Sequence, residues 1–296
     1  MKIGKPVVYS VIVLSLLCGV AALAAGRENQ DARLSSAVAL VNEGGEIKSF
    51  LKQPGVSFVQ AYVRFNSDLP EDVIFGIDQE FIEGVANPVY IKGGDWMSLV
   101  GMQRTGVIWV AVGTDETLKG EPSKERTWQI LDLGQNLQPD VWYRFRIEVD
   151  FSTRHFQKFT VDGPGVSKTF DLTAYKLDYP NYMPFSDRTM SFFAFAMRSR
   201  GLMKSGSTPD GKPLVYFDDI SGGPMTKESQ EIVVFQNGFE EQIEIGKQPI
   251  TLPVIDLKKY EQGRWYLERD ESLFTVQRAA FARSGDFVGV ADASIE

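Results

Sequence analysis

Trp142, Arg144, Arg146, Glu148 and Asp150 occupy every second position of one run, Trp-Tyr-Arg-Phe-Arg-Ile-Glu-Val-Asp. Side chains alternate across a strand, so these five share one face while Tyr143, Phe145, Ile147, Val149 and Phe151 share the other. Guanidinium and carboxylate groups supply the paired donors and acceptors that sugar hydroxyls need, and an indole stacks on the apolar side of a sugar ring. The chemistry on offer is glycan binding through Trp142, Arg144, Arg146 and Glu148. A solvated outer sheet face whose charges pair across strands has the same pattern, because polar-out alternation is what any sandwich shows. If the face lines a glycan groove, Arg146→Ala should weaken binding by about 1–3 kcal/mol and barely touch folding.

A second group of candidates lies around Pro180 and Pro184, where Tyr175, Tyr179, Tyr182 and Phe185 gather. Loops run over protein surfaces, so Tyr179, Tyr182 and Phe185 are expected to form either a ligand platform or a lid packed on the sandwich edge. The prolines would lessen the entropy lost on binding. His155 is the single histidine and stands beside a turn, where it reads as a solvated turn residue rather than as the base of a Ser-His-Asp triad. With one histidine and one cysteine the chain holds no zinc motif and no Cys-His dyad, and it shows no glycine-rich phosphate loop.

The elements that must position these residues are short. β-rich runs separated by turn residues recur at 57–65, 73–77, 107–112, 128–133, 142–151, 156–161, 191–197 and 214–220, without a sustained helical period and with 20 phenylalanines in the chain. This is the pattern of an all-β antiparallel sandwich. Ser152-Thr153-Arg154 turns the first candidate strand into a second that ends at Asp162-Gly163, which makes a hairpin.

That hairpin, with its tryptophan, alternating strand, turn, strand and Asp-Gly, resembles the concanavalin A-like lectin/glucanase superfamily, a LamG-like jelly-roll class of sugar binders and polysaccharide-degrading enzymes. The resemblance implies a jelly-roll sandwich over residues 31–222. It also implies a test for catalysis, since retaining glycosidases of this class carry Glu-x-Asp-x-x-Glu on one strand. The nearest text here is Gly76-Ile77-Asp78-Gln79-Glu80-Phe81, with Gly76 in the nucleophile's position and Phe81 where an acid is required. This departure argues against that enzyme family. Asp218-Asp219 ends the run Leu-Val-Tyr-Phe-Asp-Asp, and sandwiches that this segment resembles use such an acid to help hold a structural calcium. Glu28, Asn29 or Asp31 could add to the roughly six to eight oxygens required. A plain acidic pair at a strand end is the alternative.

Residues 223–231 read as a Gly-, Pro- and polar-rich linker, and residues 232–296 as a shorter β piece. The segment Phe235-Gln236-Asn237-Gly238-Phe239-Glu240 resembles the opening strand of secreted β-sandwich modules, and residues 284–290 resemble the strand that follows. A partial second module is the expected arrangement, against the alternative that the piece adds edge strands to the first sandwich.

Residues 1–24 have the basic, apolar and small-residue regions of a signal peptide, with an uncleaved membrane anchor as the alternative, so a secreted or periplasmic protein is expected. Cleavage would remove Cys18, the only cysteine, and leave about 270 residues that need a core for stability. Losing Lys2 and Lys5 leaves 29 basic against 39 acidic residues, a net charge of −10. An acidic surface disfavours nucleic acid as a partner. A non-catalytic, lectin-like glycan-binding protein is the expected function, the alternatives being a polysaccharide-active enzyme using acids such as Glu148 and Asp150, or a structural surface spacer.

Overall fold

The computed structural model describes residues 35–42, 50, 53–82, 95–119, 127–179, 189–198, 211–240, 249–256, 261, 263–267 and 272–294. The expected signal peptide, Tyr182 and Phe185 lie outside them. Among the described residues, eighteen strands form one continuous, curled antiparallel array in two layers. The first layer runs β16 (Trp265–Leu267), β1 (Ser35–Asn42), β12 (Thr189–Arg198), β3 (Val73–Ile82), then β4 (Asp95–Met97) and β5 (Val100–Met102) side by side, β6 (Val107–Gly113) and β7 (Thr127–Asp132). The second runs β10 (Val166–Asp171), β9 (His155–Gly163), β8 (Tyr143–Asp150), β2 (Val56–Phe65), β13 (Leu214–Pro224), β18 (Phe287–Asp292), β17 (Phe274–Arg278) and β15 (Ile250–Thr251). A short strand, β14 (Phe235–Asn237), pairs with the end of β13. Lys176–Leu177, β11, pairs with both β6 and β9 and so joins the layers at one side. The fold is an antiparallel jelly-roll β-sandwich, as the alternating runs indicated.

The core follows from the alternation. Val59, Ala61, Val63 and Phe65 of β2 and Tyr143, Phe145, Ile147 and Val149 of β8 point inward, against Phe75, Ile77 and Phe81 of β3 and Phe192, Ala194 and Ala196 of β12. Phe75 and Phe145 stack across the gap at 6.0 Å between ring centres, and Phe145 meets Phe159 edge-on at 5.8 Å. Such rings each bury a large apolar area and add directional contact on top of it.

Two boundaries differ from the sequence reading. Gly223 and Pro224 are strand, not linker: with Gly222 they complete β13 and pair with Phe58, Ser57 and Val59 of β2. The glycine at 222 is required because a Cβ there would lie 2.8 Å from the Phe58 carbonyl and 2.9 Å from the Phe235 ring. Met225–Glu231 is a tight return, closed by an antiparallel bridge between its ends. Strands from the C-terminal segment then take places in both layers, β18 on β13 and β16 on β1. Their aromatics enter the common core, with Phe235 on Phe192 at 4.3 Å, Phe274 on Phe217 at 6.0 Å and Phe239 on Trp265 at 5.5 Å.

A chain ended at Pro224 would therefore strip β18 from β13 and expose Phe192 and Phe217. It is expected to lose cooperative unfolding, read by near-ultraviolet circular dichroism during thermal melting. A native-like melt of the truncated chain would show instead that residues 35–224 hold a sandwich of their own.

Candidate functional site

On β3, alternation sends Phe75, Ile77, Gln79 and Phe81 inward and leaves Ile74, Gly76, Asp78 and Glu80 on the opposite face. That outer face of the first layer is not solvated. Asp78 is fully buried and Glu80 is 1% exposed. Across the ladders Asp78 stands opposite Phe193, while Glu80 stands opposite Ser191 on β12 and Met97 on β4. The Ser98 amide donates to Asp78 Oδ1 at 3.0 Å, and the Ser98 hydroxyl donates to the Gln79 carbonyl at 3.0 Å. The same face continues as an apolar half formed by Ile74, Met97, Leu99, Trp109, Phe195 and Met197. There Trp109 meets Trp128 edge-on at 5.9 Å and donates its indole N–H to Gln103 at 3.1 Å.

The inward side chain between the two acids anchors them. Gln79 is fully buried, and its Oε1 accepts from the Ser57 hydroxyl at 2.8 Å, with the Gly223 carbonyl 3.0 Å from the same hydroxyl. This polar bridge crosses the core from β3 to the second layer. Gly76 begins the row of acids, and a Cβ there would lie 2.1 Å from the Val100 carbonyl. No third side chain fits at that position. The strand departs from the glycosidase pattern at Gly76 and Phe81, yet its sequence carries two carboxylates at alternate positions inside an apolar strand, and that spacing is the signal that places both on one face.

The face first proposed for sugar binding lies on the outside of the second layer, and its groups are bonded to one another. Arg146 Nε donates to Glu148 at 2.8 Å, its Nη1 reaches Glu231 at 2.9 Å and Gln60 at 3.2 Å, and its guanidinium lies 4.4 Å over the Phe58 ring. Lys158 completes the Glu148 contacts at 3.0 Å. Arg144 pairs with Asp162 at 2.5 Å, and the Trp142 indole N–H donates to the Phe281 carbonyl at 2.9 Å. The structure thus brings Arg146 and Glu148 together as a buried pair, puts Trp142 beside the loop at 279–286 and holds Arg144 on Asp162 of β9. Among the aromatic-loop candidates, Tyr179 is a core residue stacked on Trp96 at 4.8 Å. Trp96 also carries the buried Arg154 guanidinium 4.9 Å over its ring, and burial pulls that group down to about 9. His155 is half-buried with Nδ1 2.6 Å from the Thr153 carbonyl, and it joins no triad.

Asp218 and Asp219 lie at a bulge within β13 rather than at its end. Asp218 Oδ2 accepts the amides of Arg283 at 2.7 Å and Ser284 at 3.2 Å, its Oδ1 accepts the Asp219 amide at 2.8 Å, and Asp219 Oδ1 accepts the Ser284 hydroxyl. Nearby, Glu240 Oε1 accepts the amides of Asp286 and Phe287, each at 2.8 Å. These carboxylates clamp the loop at 279–286 onto the second layer. Glu28, Asn29 and Asp31, the other oxygens expected around a calcium, lie outside the described residues, and among the described residues no three acidic, histidine or cysteine side chains gather as metal ligands.

No family model and no curated protein matches the sequence. Solved structures with some likeness of fold include an alginate lyase from Pseudomonas aeruginosa, 13% identical with a TM-score of 0.28 over 57% of this chain and 64% of the lyase. Scytalido-glutamic peptidase is 9% identical with a TM-score of 0.34 over 88% of this chain and 98% of its own. The β-glucanase of Bacillus licheniformis is 12% identical with a TM-score of 0.27 over 54% of this chain and 62% of its own. This chain spans less than two thirds of the length of the lyase and of the glucanase.

Two outcomes test the clamps described above. Removing Arg146 leaves Glu148 buried and short of a partner, so Arg146→Ala is expected to cost about 3–5 kcal/mol in urea unfolding, rather than to leave stability unchanged. Burial pushes Asp218 up to about 6 from its ordinary 3.8, against the pull of its three amide donors. A folded-state value above the unfolded one means that the linked stability is complete below about 3.8 and is lost as pH rises through about 6. The unfolding free energy of the native chain, measured relative to Asp218→Asn, should accordingly fall between pH 4 and pH 7; a flat difference would remove the buried carboxyl from the account.

Proposed function

We propose that this protein acts on a polysaccharide and that the Asp78–Glu80 face of β3 is its site. The observation that carries this reading is the burial of two carboxylates, two residues apart, on one face of one strand. Taking a carboxylate out of water costs several kcal/mol, which a strand built for stability alone would avoid by placing apolar residues there. Cleaving a glycosidic bond needs such a pair, one carboxyl to protonate the leaving oxygen and one to act as base.

The strand repeat sets the spacing. Residues two apart lie roughly 6.6 Å from each other along a strand, and parallel side chains keep their carboxyls at about that distance. This falls in the range, roughly 6.5–9.5 Å, that leaves room for a water between them. With position 76 closed to any side chain, no third carboxylate on β3 can serve as a nucleophile. The chemistry that fits is a single displacement: Glu80, beside the hydroxyl-bearing Ser191, protonates the leaving oxygen, and Asp78, held by the Ser98 amide, activates water. An extracellular polymer is the substrate class that a chain with an export leader would meet.

Incubating the protein with alginate, mixed-linkage β-glucan and other plant and algal polysaccharides, with reducing ends and unsaturated products both measured, tests the reading. Product is expected from one of them, and Glu80→Gln should lower kcat by about 10²–10⁴ with little change in melting temperature. Full turnover by Glu80→Gln would remove the assignment, and binding by the native chain without product would make the protein a lectin.

A further inference from the structure

Ser191 faces Glu80 directly across the β3–β12 ladder. It is fully buried, and its hydroxyl has no hydrogen-bond partner. Its same-face neighbours along β12, Phe193, Phe195 and Met197, are apolar and buried. A hydroxyl in such a setting is a net loss to folding, because it gives up water and gains nothing in return. Serine usually escapes this by bonding to nearby backbone, and Ser191 does not. Alanine would occupy the position without the loss.

Glu80 has two cross-strand neighbours, Met97 on β4 and Ser191 on β12. Directly opposed residues hold their Cβ atoms about 4.5–5.5 Å apart, so a group bound at the Glu80 carboxyl lies within reach of the Ser191 hydroxyl. That hydroxyl offers one donor and two acceptor lone pairs, which is the complement of a sugar hydroxyl.

We infer that Ser191 is a substrate-binding residue that hydrogen-bonds a hydroxyl of the sugar unit addressed by Glu80, and so selects for that hydroxyl. This rests on the Asp78–Glu80 reading. Ser191 makes no bond in the reaction and moves no proton; it holds the sugar in register with the carboxyl. A site that pairs its polar atom only with substrate discriminates strongly against an analogue lacking the matching group.

The test uses the full-length protein with Ser191→Ala, Ser191→Thr and Glu80→Gln, assayed on whichever of sodium alginate and barley β-glucan the native chain converts. Without polysaccharide, Ser191→Ala should melt at or above the native temperature; a clear drop would show that the hydroxyl serves the fold and would overturn the inference. In turnover, Ser191→Ala should raise KM about tenfold and change kcat less than threefold, with Ser191→Thr restoring much of the loss. Glu80→Gln should show the opposite split. If Glu80→Gln is inactive while Ser191→Ala keeps native KM and kcat, the inference about Ser191 fails alone. If Glu80→Gln keeps its kcat, the carboxylate reading fails and takes this one with it.

Discussion

The stack of Phe75 on Phe145 decides which way every side chain of β3 points. A strand has a period of two, so a slip of one residue would carry Asp78 and Glu80 into the core and Phe75 and Ile77 out of it. Two contacts hold the register. The ring stack works at one end of the strand, and near the other the Gln79 amide reaches through the core to Ser57. Because both belong to the inward face, the outward face is free to carry groups that a core would reject. The carboxylates are therefore presented by contacts that never touch them.

The two layers solve the problem of an outer face differently. The second layer covers itself with charge: Arg146 is shared among Glu148, Glu231 and Gln60, Arg64 pairs with Asp140, and Arg144 pairs with Asp162. Guanidinium groups also lie over rings there, Arg64 over Phe281 at 4.2 Å and Arg283 over Tyr62 at 4.3 Å, which fastens the loop at 279–286. Its polar groups are largely spent on one another. The first layer instead buries Asp78, Glu80 and Ser191 on a face whose other half is apolar.

The sequence was most readable where alternation was strict. The run at 142–151 folds as the alternating strand its pattern describes, with Arg146 and Glu148 of its polar face buried as well, and the hairpin to Gly163 forms as expected. Local composition misled where a residue's environment is set from far away. Gly223 and Pro224 look like linker, yet they continue β13 because Phe58 and Ser57 of the distant β2 pair with them. Tyr179 reads as a surface aromatic beside a proline and is a core ring on Trp96. Arg146 reads as an available donor, but its partner Glu231 lies on a return that no local pattern links to β8. Asp78 and Glu80 were visible as alternating acids, whereas the burial that gives them meaning belongs to the assembled layer.

The position of β1 governs how the chain reaches this state. Residues 35–42 lie between β12 and β16, so one edge must wait for residues 190–197 and the other for residues 265–267. Closing loops of that length costs entropy before any pairing compensates it, and folds dominated by such distant contacts are slow to form. The first layer therefore cannot close until nearly the whole chain has been synthesised. Until then β1 is an unpaired edge, and the growing chain needs to be kept from pairing with its neighbours.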